Sequence, residues 1–183
     1  GSTICVFCGS RFGSKPVYRD LAERVGRRLA EQNAGLVYGG GALGLMGVVS
    51  DSALAAGGHV TGIIPGFLRH VERQHDRLSR LIVTDDMLDR KQTMFDLSDG
   101  FLALPGGVGT LDEILEVLTW RQLGQIDKPL VLLSEDDFWQ PFIGALDHTI
   151  AQEFAGDSIR SLYRHESTLD AAFAALGLGY TIH

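Results

Sequence analysis

Cysteine is almost missing from these 183 residues: the two that occur sit together as Cys5-Val6-Phe7-Cys8. A redox Cys-x-x-Cys pair opens a helix and a zinc site needs further ligands, whereas this run is β-branched and aromatic. It reads as a strand, on which residues three apart face opposite ways, so buried strand cysteines are expected. The six histidines are scattered, His70 and His75 being the nearest two, and no His-Glu-x-x-His occurs; no metal is expected. Lysine is scarce too, with Lys15, Lys91 and Lys128 alone. None follows a glycine loop as a nucleoside-triphosphate-binding loop requires, and none has a convincing context for a pyridoxal phosphate Schiff base. Basic charge is in deficit, 16 Lys and Arg against 23 Asp and Glu for a net charge of -7. That balance disfavours the broad cationic surface a nucleic acid polymer demands. No apolar stretch approaches the roughly 20 residues of a membrane span, and the beginning lacks a basic-then-apolar leader, so no membrane partner and a cytoplasmic location are expected.

What is present is a chain with 45% hydrophobic and 21% charged residues, long enough for one substantial core and short for two. A single domain over residues 1–183 is expected. Short β-rich runs at residues 4–7, 35–38, 59–64, 81–84, 101–104 and 130–133 read as strands, each followed by a helix candidate. The helical segments are 17–32, 45–56, 87–97 and 110–123, with glycine or asparagine placed for left-handed caps, and then 137–153 and 169–176. Alternating βα units imply a parallel sheet, and near-continuous apolar runs such as Phe101-Leu102-Ala103-Leu104 imply strands covered on both sides. The fold class expected is α/β, a Rossmann-like doubly wound parallel sheet with helices on both faces. Ligands of such sheets sit outside the carboxyl ends of the strands.

Two glycine-rich loops lie at such ends. Gly39-Gly40-Gly41-Ala42-Leu43-Gly44-Leu45-Met46-Gly47 contains Gly-x-Gly-x-x-Gly at a strand-to-helix junction, where free amides and the helix dipole favour an anion. The next strand ends Ile63-Ile64-Pro65-Gly66 without the acidic residue that holds a dinucleotide ribose, so neither NAD nor FAD is expected. The second loop runs Pro105-Gly106-Gly107-Val108-Gly109-Thr110-Leu111-Asp112-Glu113; its threonine can cap a helix and its glycines expose amides. Glu113 then falls in the first helical turn, either as a carboxylate on the dipole or facing a cationic centre, such as a sugar oxocarbenium, that forms during reaction. Met87, Arg90, Lys91 and Met94 share one helical face, where two cations either snorkel or grip a phosphate or a base.

These residues together resemble the Lonely Guy (LOG) family of cytokinin riboside 5'-monophosphate phosphoribohydrolases. The resemblance runs nearly end to end through Cys8-Gly9-Ser10, Tyr38-Gly39-Gly40-Gly41 with Gly44-Leu45-Met46-Gly47, Gly62-Ile63-Ile64-Pro65, Arg90-Lys91, the Pro-Gly-Gly-x-Gly-Thr-x-x-Glu loop, Leu118-Thr119-Trp120 and Asp127-Lys128-Pro129. It implies hydrolysis of the N-glycosidic bond of N6-modified AMP, and of AMP itself, to free base and ribose 5-phosphate without a metal or organic cofactor. Arg90 and Glu113 match the catalytic pair. Substrate contacts carry over to Glu72, Met87, Arg90, Lys91, Gly107, Val108, Gly109, Thr110, Leu111, Asp112, Glu113 and Thr119. Gly9, Ser10, Gly40, Gly41, Gly44, Met46 and Gly106 are further phosphate-loop candidates. The segment around Glu72 departs from the family pattern, and Val108 stands where an aromatic residue is common.

The resemblance also implies a homodimer with sites near the interface. Glu113 and Thr119 are separated by roughly 9 Å of helical rise, too far to touch one small group easily, so one of them serves a partner's site in this reading. Trp120 reads either as an interface anchor or as a buried aromatic. The rival from another class is a non-catalytic carrier of a phosphate-bearing ligand, resembling molybdenum-cofactor carrier proteins; the Arg90 and Glu113 pair argues for the enzyme.

Overall fold

The structure, a computed structural model, describes residues 1–179. Seven strands and six α-helices follow one another as β1 (Thr3–Phe7), α1 (Pro16–Glu31), β2 (Gly35–Tyr38), α2 (Gly44–Ala55), β3 (Val60–Pro65), β4 (Arg80–Thr84), α3 (Met87–Leu97), β5 (Gly100–Ala103), α4 (Val108–Gln122), β6 (Leu130–Leu133), α5 (Gln140–Ala151), β7 (Arg164–Glu166) and α6 (Leu169–Ala175). The strands form one parallel sheet in the order β4-β3-β2-β1-β5-β6-β7. This is the doubly wound α/β architecture expected from the alternation of elements.

Side-chain alternation along the strands divides the interior in two. Ile4, Val6, Leu36, Tyr38, Leu102 and Val131 face one layer, against Leu21, Val25 and Leu29 of α1, Val49 of α2 and Phe173 of α6. Cys5, Phe7, Val37, Phe101 and Leu132 face the other, against Met94 and Phe95 of α3, Ile114 and Val117 of α4, and Trp139 just before α5. Cys5 and Cys8 fall in opposite layers, both free and buried, as strand spacing requires. The layers are close-packed; a Cβ on Gly26 of α1 would stand 2.4 Å from the Val49 carbonyl oxygen of α2, so the two helices cross through that glycine.

Helix ends follow the sequence in three cases: Asn33, Gly57 and Gly124 take positive φ after α1, α2 and α4. Other expectations are corrected. Helix α3 ends at an extended Ser98 with no left-handed residue, because Gly100 already begins β5. No α-helix follows β3; a short 3-10 turn at Gly66–Leu68 and irregular chain lead to β4. Helix α4 starts at Val108 with Gly107 as its N-cap, so Thr110 is the third helical residue rather than the cap, and Glu113 lies in the second turn. Helix α5 starts at Gln140 because Asp137 has a φ of 63°. Strand β7 was not anticipated, since Arg164-His165-Glu166 is short and polar, as an edge strand tolerates.

Candidate functional site

In the sheet order, β1 is where chain progression reverses: β2 lies on one side of it and β5 on the other. The loops leaving β1 and β5 therefore diverge and open a crevice at the carboxyl edge. A cleft of about 570 Å³ occupies that position. One wall is backbone. The loop after β1 and the loop after β5 are locked together by the Gly9 N–H donating to the Pro105 carbonyl at 3.1 Å. Met46 N–H donates to the Gly9 carbonyl at 3.3 Å, tying the start of α2 to the same loop. A Cβ on Gly44 (φ 57°) would stand 2.3 Å from the Arg11 nitrogen, and one on Gly106 would stand 2.1 Å from Thr110 Oγ1, so glycine is a packing requirement at both. Gly107 and Gly109 differ: nothing lies within 4 Å of a Cβ at either. Both are exposed beside the first amides of α4, which have no helical partner and carry the positive end of the dipole.

The opposite wall is made of side chains from Glu72, Arg90 and Glu113. Helix α3 presents Arg90 because Asp86 caps its start, accepting from the Asp89 N–H at 2.8 Å, and Met94 and Phe95 anchor its inner face. Arg90 is 7% exposed. Its Nε donates to the Ile63 carbonyl at 2.9 Å, its Nη2 to the Gly39 carbonyl at 2.6 Å and to Glu72 Oε2 at 2.8 Å, and its Nη1 to Glu72 Oε1 at 3.4 Å. Four of the five guanidinium hydrogens are thus engaged, leaving one on Nη1 for anything bound in the cleft. Glu113 is half-buried on α4, and its carboxyl is pushed up to about 7. Withdrawal from water is the main cause; the Arg90 cation counters it, and the Glu72 and Asp112 charges add to it. Burial and Glu113 together also push the Cys8 thiol well above its ordinary range, so Cys8 is a neutral lining group.

The cleft brings together, from the residues singled out in the sequence, Gly9, Ser10, Met46, Glu72, Arg90, Gly106, Gly107, Val108, Gly109, Thr110 and Glu113. It does not bring in Met87, Lys91, Leu111, Asp112 or Thr119. Lys91 pairs with Asp112 at 2.8 Å and with Glu116 at 3.8 Å, bracing α3 against α4. Thr119 is exposed and donates its hydroxyl to the Leu115 carbonyl at 2.8 Å. Met87 is exposed, at 37%. Gly40 and Gly41 stand behind the wall, and Gly44 supports the loop after β1. Trp120 is partly buried, its ring 5.0 Å edge-on from Phe95. Arg11, Phe12, Tyr18 and Phe138 line the cleft without having been anticipated. An aromatic spacing of Phe12 and Tyr18 around the Gly13 turn was the available signal for two of them; Phe138 arrives from a loop 120 residues after Tyr18 and had none.

A family model described as possible lysine decarboxylase matches residues 46–176. The cytokinin riboside 5'-monophosphate phosphoribohydrolase of Rhodococcoides fascians is 41% identical over 175 residues, covering 95% of this chain and 88% of that protein. The enzyme of the same name from Oryza sativa subsp. japonica is 43% identical over 159 residues, 87% of this chain. The chain spans 64% to 66% of the length of the rice relatives it matches. Among solved structures, the molybdenum cofactor binding protein of Rippkaea orientalis superposes with a TM-score of 0.69 at 25% identity, covering 91% of this chain and 90% of that one. The Moco carrier protein of Chlamydomonas reinhardtii, at 23% identity and a TM-score of 0.70 over 96% and 95% of the two chains, shares the fold. With matches of this extent, the chain belongs to the LOG family, whose family model carries the possible lysine decarboxylase description.

Proposed function

We propose that the chain, acting as one domain over residues 1–183, hydrolyses the N-glycosidic bond of cytokinin riboside 5'-monophosphates and of AMP, releasing the base and ribose 5-phosphate. The observation that supports this reading is that Glu113, its carboxyl raised to about 7, lines the same cleft as the Arg90 guanidinium and the first amides of α4. The 5'-phosphate sits on the Gly107–Thr110 amides, and the ribose reaches back toward Glu113. As the C1'–N9 bond breaks, its electron pair leaves with the base and positive charge spreads over C1' and the ring oxygen. Glu113 stabilises that charge and takes a proton from the water that attacks C1'. Glu113 enters the reaction ionised, and the proton it takes from the water is passed to the departing base, so a carboxyl that titrates near 7 can both accept and release it. Arg90, committed to two carbonyls and to Glu72, acts by fixing Glu72 and by its charge rather than by gripping the phosphate.

The reading extends to a homodimer in the cytoplasm. Leu88 of α3 is 65% exposed, and Leu115 of α4 and Leu123 at its C-cap are 45% and 67% exposed to either side of Thr119, a surface suited to a second copy. Sedimentation measures that, and cell fractionation the location. Among the described residues no helix is long and apolar enough to cross a membrane.

The deciding experiment is product chromatography after incubation with AMP and with isopentenyladenosine monophosphate, the matching nucleosides serving as phosphate-free controls. Base released from the monophosphates alone is the expected result. No base from either, with tight ligand retention, would favour the carrier reading that the fold likeness to molybdenum-cofactor proteins suggests.

A further inference from the structure

The connection from β3 to β4, residues 66–79, crosses between parallel strands without an α-helix, and none of residues 66–74 is buried. A segment with so little apolar anchorage keeps its place through polar ties, and such segments open locally at low cost. This strap carries Glu72, and the residue after it, Arg73, has a φ of 48°, a conformation a non-glycine residue holds when its neighbours impose it.

Three sets of ties hold the strap. Gly41 and Gln74 form an isolated antiparallel bridge, with the Ala42 N–H donating to the Arg73 carbonyl at 2.7 Å. Glu72 accepts from Arg90. The third set centres on His75, the first buried residue after Pro65, at 4% exposure. Its backbone N–H donates to the Gly40 carbonyl at 2.9 Å. Its ring Nδ1 accepts the Arg77 N–H at 3.0 Å, which makes Nε2 the protonated nitrogen of the neutral ring; Nε2 then donates to Asp51 Oδ1 of α2 at 2.6 Å. The backbone of His75 therefore ties the strap to the glycine loop, and its imidazole ties it to its own following turn and to α2. It does not line the cleft.

We propose that His75 is a positioning residue that sets Glu72 against Arg90 by fixing the end of the strap. Without the imidazole the strap loses its tie to α2 and keeps its backbone bonds to the glycine loop and the Glu72–Arg90 pair, so it lifts more readily, and the Glu72 carboxylate leaves the cleft wall more often while Arg90 keeps its bonds to Ile63 and Gly39. The inference rests on the reading of Glu72 as a substrate contact, so its test has one arm that does not depend on turnover.

In that arm, full-length wild type and His75→Ala are exposed to trypsin, and cleavage after Arg69, Arg73 and Arg77 is followed by mass spectrometry. The expected result is cleavage about tenfold faster in the variant, with cutting elsewhere unchanged; His75→Gln, which still reaches Asp51, recovers part of the difference. Should His75→Ala not fold, Asp51→Ala breaks the same bond from its exposed end, and because it also removes the Arg77 ion pair at 3.5 Å, only cleavage after Arg69 and Arg73 is compared. Equal strap cleavage in wild type and variant overturns the proposal whether or not AMP is hydrolysed.

In the second arm, His75→Ala raises KM for AMP about tenfold and leaves kcat within about threefold, and adding it to Glu72→Gln raises KM no further. Multiplying effects in the double variant would show that His75 acts elsewhere in the fold and would also overturn it.

Discussion

The two walls of the cleft are built on different physical terms. The wall formed by the loops after β1 and β5 is mainly backbone, closed by amide-to-carbonyl bonds and by Gly44 and Gly106, which leave no room for a Cβ. The wall carrying Glu72, Arg90 and Glu113 is held by side chains that meet from three distant stretches of sequence, and its outermost part, the strap, has no buried residue from 66 to 74. A backbone wall suits an anion whose shape and charge are constant. A side-chain wall can change protonation and position, which is where the chemistry is expected.

The largest effect that would sharpen this contrast is chemical. Glu113→Gln should lose about a thousandfold in kcat for AMP while AMP binding measured by calorimetry is retained; unchanged turnover would remove Glu113 from the reaction. Next comes the backbone wall. Gly44→Ala places a Cβ against the Ser10 and Arg11 backbone at a positive φ, and should cost about 3 kcal/mol or more in urea unfolding. Gly107→Ala should divide the wall's two duties, because no atom lies near its Cβ. Unfolding stability should stay within about 0.5 kcal/mol, while AMP affinity falls about tenfold as the methyl group crowds the approach to the amides.

The smallest expected effect is a pH linkage. The folded carboxyl of Glu113 is raised to about 7 from an ordinary value of 4.5, so the folded state holds a proton that the unfolded state has released. Its stabilising contribution is full below the ordinary carboxylate range and is lost as pH rises through 7. Glu113→Gln should therefore gain about 1 to 2 kcal/mol relative to wild type on going from pH 5 to pH 8, read from unfolding midpoints at each pH. No gain would mean that the carboxylate is better solvated than the structure suggests.

The sequence was most legible where a single residue type settles a local conformation. Asn33, Gly57 and Gly124 marked helix ends correctly, and apolar runs such as Leu130–Leu133 marked strands buried on both sides. The glycine loops were legible for the same reason. It was least legible where the deciding partner is far away. The commitment of Arg90 to Gly39, Ile63 and Glu72 depends on contacts 51, 27 and 18 residues distant. Spacing alone left Arg90 free to grip a phosphate, and placed Met87 and Lys91 beside it although the cleft takes neither. The β3 to β4 crossover ran against the alternation because its cover is a strap, and the start of α4 was misplaced because Gly107 caps by its backbone conformation, without a side chain to announce it.

One consequence of the strand order concerns synthesis rather than catalysis. Strand β1 pairs on one side with β2, about 30 residues later, and on the other with β5, through Ile4 and Gly100 up to Phe7 and Ala103. During translation its second edge has no partner until nearly a hundred further residues have emerged, and an unpaired apolar edge invites mispairing for that interval. Closure of such long loops is slow, so the step that completes the sheet's centre should limit the rate of folding. The crevice appears in the same step, since its two flanking loops are joined only when β5 docks. A nascent chain of this protein therefore has no ligand site to stabilise it until late in its emergence.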